Sequence, residues 1–184
     1  MNEETLKHTP VLLDEVINAI NPQSGKLYFD ATFGWGGYSE KLLDTCACKV
    51  IAIDQDPSVK SKASEFKKKY GDRFNFIESK FSEITTVLKK MDINKVDGFM
   101  FDIGVSSMQL DTSDRGFSFN KEGPLDMRMS SSGKTAAELI SSIQEETLAD
   151  IIYNYGDERK SRKIAKFIIE QRSISPVSYT HLTL

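Results

Sequence analysis

The chain has 184 residues, 39% of them hydrophobic and 28% charged, the ordinary balance of a folded domain with a sizeable core. A net charge of −3 excludes binding to nucleic acid through bulk charge alone and leaves a local basic patch open. No apolar run approaches the ~20 residues that span a bilayer. The start, MNEETLKHTP, lacks the positive and apolar regions of a signal peptide, so a cytoplasmic protein that does not enter the membrane is expected.

Along the chain, HTPVLLDEVINAI reads as a helix with Thr9 as N-cap and Pro10 at its first position; Leu13, Val16, Ile17 and Ile20 share one face. KLYFDAT reads as strand one, and residues 38–46 as a helix behind the glycine turn. KVIAIDQD is a near-continuous apolar strand. Asp56, Pro57 and Gly71 punctuate the next helix, whose buried stripe is Val59, Ala63, Phe66 and Tyr70. RFNFIES is strand three, and Ser82 opens a helix with Ile84, Val87, Leu88 and Met91 pointing inward. KVDGFMFDIG is strand four. Alternating strands and helices, with strands apolar on both faces, predict an α/β fold with a parallel sheet.

After residue 110 the chain turns polar and irregular through DTSDRGFSFNKEGPLDMRMSSSGKT. A loop of this length in a compact domain is usually functional. Two helices are expected beyond it: TAAELISSI, with a Thr135/Glu138 capping box, and residues 157–172. This region reads as a cap attached after strand four.

The chemistry centres on DATFGWGG. Gly34, Gly36 and Gly37 allow close backbone approach, which fits a bound nucleotide and equally a tight turn with no ligand. The acids narrow the choice. Asp30, Asp54 and Asp102 close strands one, two and four, whose ends converge on one crevice in a doubly wound sheet. Each like-charge pair costs about 4 kcal/mol at ~4 Å and an effective dielectric of ~20, so carboxylates here repel a pyrophosphate. A cationic ligand with a ribose suits them better. S-adenosylmethionine is one: it has a sulfonium, an ammonium and no phosphate. Asp54 alone also fits a nicotinamide dinucleotide. SSSGKT resembles the end of a phosphate-binding loop, but Arg128 stands where that motif needs glycine and no strand precedes it. No metal site is expected, because Cys46 and Cys48 have no second ligand pair, and both read as reduced thiols.

HTPVLLDEV, DATFGWGGYS, AIDQDP, FDIGVSSMQLD, RGFSF, GPLDMRM and YGDERKSRKIAKFIIEQR together resemble the bacterial 16S rRNA (cytosine-N4) methyltransferase family, RsmH or MraW, over about residues 8–174. The resemblance implies a Rossmann-like class I methyltransferase fold, strand order 3-2-1-4, with a helical cap inserted after strand four. It implies S-adenosylmethionine as cofactor and N4-methylation of a cytidine in the decoding region of 16S rRNA, with the small ribosomal subunit as partner; a homodimer stays open. By position, the cofactor site would include Gly34, Gly36, Gly37, Tyr38, Asp54, Phe81, Asp102 and Gln109, with Phe81 near the adenine. Family members often carry histidine where Tyr38 stands, so a backbone contact is expected there.

Asp102 is the candidate catalytic residue. It and IGVSS occupy the place of the catalytic tetrapeptide of amino methyltransferases, here without its prolines and aromatic. The candidate substrate residues are Arg115, Phe117, Phe119 and Arg128. The phenylalanines could stack a displaced base or form a small loop core. Arg128 could meet a phosphate or pair with Asp126. Arg159, Lys163 and Lys166 form a basic stripe apart from Ile164, Phe167 and Ile168, fit either for the rRNA backbone or for solvent.

The expected division is 1–110 as the cofactor-binding domain, 111–175 as the substrate-recognition cap and 176–184 as an artificial tail, since SPVSYTHLTL reads like translated adapter sequence. The family's later strands have no counterpart here, which leaves strand four as an edge. An inactive cofactor-binding fragment is therefore the alternative to a working enzyme.

Overall fold

The computed structural model describes residues 10–172. The expected Thr9 cap and the 176–184 segment lie outside them. The chain packs as two units that divide between Gly104 and Val105.

The first unit holds a four-stranded sheet in the order β3-β2-β1-β4. Its strands are β1 (Leu27–Asp30), β2 (Lys49–Asp54), β3 (Phe74–Glu78) and β4 (Gly98–Met100), all parallel. The expected order is confirmed. Asp30 pairs with Ala52 on one side and Met100 on the other, so β1 and β4 end level while β2 runs two residues further, to Asp54.

Four helices accompany the sheet: α1 (Leu13–Ile20), α2 (Gly37–Thr45), α3 (Lys60–Tyr70) and α4 (Ile84–Lys90). Side chains alternate along each strand. One face of the sheet gathers Phe29, Ile51 and Ile53 against Val87, Ile84, Leu88 and Met91, as the stripe on α4 predicted. An aromatic cluster of Phe33, Phe66, Phe74 and Phe76, with centroids 5.1–5.5 Å from Phe33, joins α3 to the sheet. Asp56 caps the turn before α3, its carboxylate accepting from the Ser58 amide at 3.0 Å, and Gly71 ends the helix at φ 58°.

Three expectations shift. Pro10 is not in α1, because Leu12 turns into the left-handed region at φ 55° and the helix starts at Leu13. The apolar face of α1 is where the periodicity put it, with Ile17 buried. The strand expected over KVDGFMFDIG is only three residues long, so Asp102 lies two residues beyond its end. A short strand is one way in which proteins blunt a sheet edge.

The second unit has α5 (Ser107–Asp111), α6 (Ala136–Ser142), α7 (Glu145–Gly156) and α8 (Ser161–Arg172). Its core is Ile143, Leu148, Ala149, Ala165 and Ile168. The Thr135/Glu138 capping box is present, each partner bonding the other's backbone amide. Helix α7 was not anticipated, and the helix expected from 157 begins at 161. Gly156 and left-handed Asp157 (φ 50°) stop α7, and Glu158 then accepts from the Lys160 amide to shape the turn. Arg159 therefore sits in a turn, and the exposed basic stripe on α8 is Arg162, Lys163 and Lys166.

Candidate functional site

The turn after β1 organises the first unit's site. Asp30, 1% exposed, sits beneath it. Its carboxylate accepts the Ser39 hydroxyl at 2.6 Å and the Thr32 amide at 3.2 Å. The Thr32 hydroxyl oxygen accepts the Asp102 amide at 2.7 Å. Two residues on, the Gly34 amide donates to Asp54 at 2.8 Å, and the other Asp54 oxygen accepts the Asp56 amide at 2.9 Å. Within three residues, Thr32 and Gly34 thus bond to all three aspartates that the sequence singled out.

The electrostatics follow this crowding. Burial, opposed by the bonds from Ser39 and Thr32 and reinforced by the charges of Asp54 and Asp102, raises the Asp30 pKa to about 6. Burial also raises that of Asp54, against the pull of its backbone bonds from Asp56 and Gly34. The site is acidic, and no lysine or arginine ion pair among the described residues reaches Asp30, Asp54 or Asp102. No cluster able to hold a metal ion occurs among those residues.

The three glycines do different work. Gly34, at φ 51°, has no atom within 4 Å of where a Cβ would stand, so its outer side is open to a ligand. Gly36, at φ 77°, faces the Phe66 and Phe33 rings, and a Cβ there would lie 2.5 Å from Phe66. Gly37 lies under Pro10, whose Cγ would be 2.3 Å from a Cβ. Tyr38 is buried and donates its hydroxyl to the Val11 carbonyl at 2.5 Å, which fastens the start of the described chain to α2. Its side chain is thereby occupied. Phe81 follows β3 with 44% of its surface exposed, its ring edge-on to Phe101 at 6.4 Å. Asp102 is exposed.

Gln109, Arg115, Phe117, Phe119 and Arg128 belong to the second unit. Gln109 is buried and completes a capping box on α5, its side-chain oxygen accepting the Ser106 amide at 3.0 Å. Arg115 donates to the carbonyls of Arg128 and Met129 at 2.9 and 3.0 Å. Arg128 grips Asp126 through two bonds of 2.9 and 2.7 Å, the pairing weighed from sequence. That bond holds the Asp126 carboxyl below the usual carboxylate range. Both guanidinium groups therefore brace the loop from within. Phe117 is half-buried, whereas Phe119 is 90% exposed, so the pair does not close into a loop core.

Sequence reasoning missed Thr32, Ser39 and Trp35. Trp35 is the chain's single tryptophan, 48% exposed in the glycine turn. The hydroxyls gave no signal in sequence, because threonine and serine near a turn have many uses. Cys48 is buried, and burial foremost pushes its thiol up to about 12, in keeping with an unreactive thiol.

A parallel sheet in the order 3-2-1-4, with a glycine turn and an acidic rim at its carboxyl ends, defines a Rossmann-like ligand-binding domain. The model of the MraW methylase family matches residues 5–182, and the chain belongs to that family. It is 49% identical over 173 residues to "Ribosomal RNA small subunit methyltransferase H" of Rickettsia massiliae (strain Mtu5), covering 94% of this chain and 55% of that protein. To the protein of the same name from Maricaulis maris (strain MCS10) it is 50% identical, covering 94% and 52%. The chain thus spans about half the length of the curated relatives it matches.

Proposed function

We propose that this chain supplies the cofactor-binding part of an S-adenosylmethionine-dependent methyltransferase of small-subunit ribosomal RNA, acting on N4 of a cytidine in the decoding region. The relatives' names support the substrate class. The observation that carries the cofactor reading is the single turn bonded to Asp30, Asp54 and Asp102, a rim that favours a cation and disfavours a diphosphate.

In this reading Asp54 accepts the ribose hydroxyls, for which its oxygens keep a lone pair beside the bonds from the Gly34, Gln55 and Asp56 amides. Gly34 lets the ligand approach the backbone, and Phe81 lies along the adenine. The cofactor supplies an electrophilic methyl group. The cytosine amine is a weak nucleophile because its lone pair conjugates into the ring. Asp102, exposed and acceptor-only when ionised, orients that amine and takes up its proton. Phe119 offers a stacking face to an unstacked base, with Arg115 and Arg128 holding its loop in shape.

Calorimetry tests the reading: S-adenosylmethionine should bind and NAD should not, and the reverse would overturn it. Asp54→Ala should weaken cofactor binding at least tenfold, the loss expected for a buried bond to a charged group. Methylation of 30S particles should then be compared between this chain and one of the longer relatives. Transfer by the longer protein alone would assign this chain cofactor binding without turnover.

The basic stripe on α8 is the proposed contact to the RNA backbone. Replacing Arg162, Lys163 and Lys166 by glutamine should flatten the dependence of log affinity on log salt by about 2, at ~0.7 per phosphate contact for a single strand. An unchanged slope would make the stripe a solvated face.

A further inference from the structure

Beyond β4 the Phe101 ring meets Phe81 and Phe99, but the backbone itself has few hydrogen bonds to hold it. The Met100 carbonyl accepts the Ala31 amide at 2.9 Å, and the strand then ends. Asp102 and the residues to Val105 are exposed. At Asp102 the tie back to the sheet is the bond from its amide to the Thr32 hydroxyl. Thr32 is itself anchored, its amide donating to Asp30, whose other oxygen holds Ser39 on α2. A continuous path, Ser39–Asp30–Thr32–Asp102, therefore links α2, β1 and the loop after β4.

We propose that Thr32 is a positioning residue for Asp102, its hydroxyl setting where that carboxylate stands relative to the cofactor and the reacting amine. The proposal rests on Asp102 serving both the cofactor, as its position in the family motif implies, and the reacting amine. The physical argument is one of partners. Asp102 is exposed, so water can satisfy its amide if Thr32 cannot, and the fold loses little. Water cannot fix a direction, however, and a displacement of about 1 Å at a reacting group can cost a hundredfold in rate. The hydroxyl's contribution is therefore orientation more than stability. Asp30 suits the anchoring role because it is fully buried and tied to α2, whereas Asp102 faces solvent.

Thr32→Val keeps the shape and removes the acceptor; Thr32→Ser restores it. Binding of S-adenosylmethionine is read from the fluorescence of Trp35 and from calorimetry, and exchange of the Asp102 amide is followed by NMR. The expected result is a Thr32→Val chain with nearly unchanged thermal stability, at least tenfold weaker cofactor binding and faster Asp102 exchange, all returned to near wild type in Thr32→Ser. Wild-type affinity in Thr32→Val overturns the positioning role while the cofactor reading stands. Equal losses in both variants also overturn it, because the hydroxyl would then not be the cause. If Thr32→Val does not fold, wild-type exchange decides: a protected Asp102 amide supports the bond, and an unprotected one overturns it. No cofactor binding by the wild-type chain removes both readings together.

Discussion

Replacing Gly36 by alanine should lower the melting temperature by roughly 5–15 °C, the shift that 2–4 kcal/mol produces in a chain of this size. Two costs add. The residue sits at φ 77°, where an L side chain loses about 1–2 kcal/mol. The new methyl would also stand 2.5 Å from Phe66 and 2.7 Å from Phe33, rings that are 3% exposed and packed edge to face at 5.1 Å. Neither ring can withdraw freely, because both also pack on Phe74. Overpacking of this kind costs about 1–3 kcal/mol.

Gly34→Ala provides the contrast. Its backbone is also left-handed, at φ 51°, but the space outside it is open. Stability should fall by only about 1 kcal/mol, whereas cofactor binding should suffer as the methyl enters the space assigned to the ligand. Thermal denaturation and calorimetry on the two variants separate these effects. If Gly34→Ala binds normally, the ligand does not approach the turn from that side.

The second large effect is on the dependence of stability on pH. Asp30 has a folded pKa of about 6 against an ordinary value of 3.8. Between about pH 4 and pH 6 the folded chain therefore holds a proton that the unfolded chain has lost. This contribution is fully present below pH 4, declines as pH rises, and is gone above about pH 6. The difference between the two pKa values corresponds to about 3 kcal/mol. Asp30→Asn cannot ionise, yet it can still accept from the Thr32 amide and donate to the Ser39 hydroxyl. It should be more stable than wild type by about 3 kcal/mol at pH 8 in urea unfolding, with the gain vanishing toward pH 4. A gain independent of pH would show that ionisation of Asp30 is not its source.

The same variant should bind a cationic cofactor less well. A charge removed at ~8 Å is worth about 2 kcal/mol at an effective dielectric of ~20. Opposite signs for stability and binding are what a strained functional site produces.

The amino-acid sequence by itself determined the parallel sheet through local signals, and its motifs determined the family, whose fold implied the strand order. Val50–Ile53 is apolar on both faces, Asp56-Pro57 and Gly71 bracket a helix, and Thr135 and Glu138 bond to each other's backbone within one turn. It also singled out Asp30, Asp54 and Asp102, because three acids at the ends of neighbouring strands converge on one crevice. Helix α7 was missed, although Leu148, Ala149 and Ile152 share a face, because Tyr153–Gly156 blurred its end.

Only the tertiary structure decided how side chains divide the work. It set Asp30 beneath the turn, closed the guanidinium groups of Arg115 and Arg128 on their own loop, turned Tyr38 toward Val11 and left Phe119 in solvent. It also separated Gly34 from Gly36, two residues alike in backbone conformation and unlike in surroundings. The reason is that secondary structure follows from contacts within a few residues. Whether a polar group is spent on the fold or kept for a ligand depends on atoms brought from elsewhere, as Thr32 meets Asp102 across 70 residues.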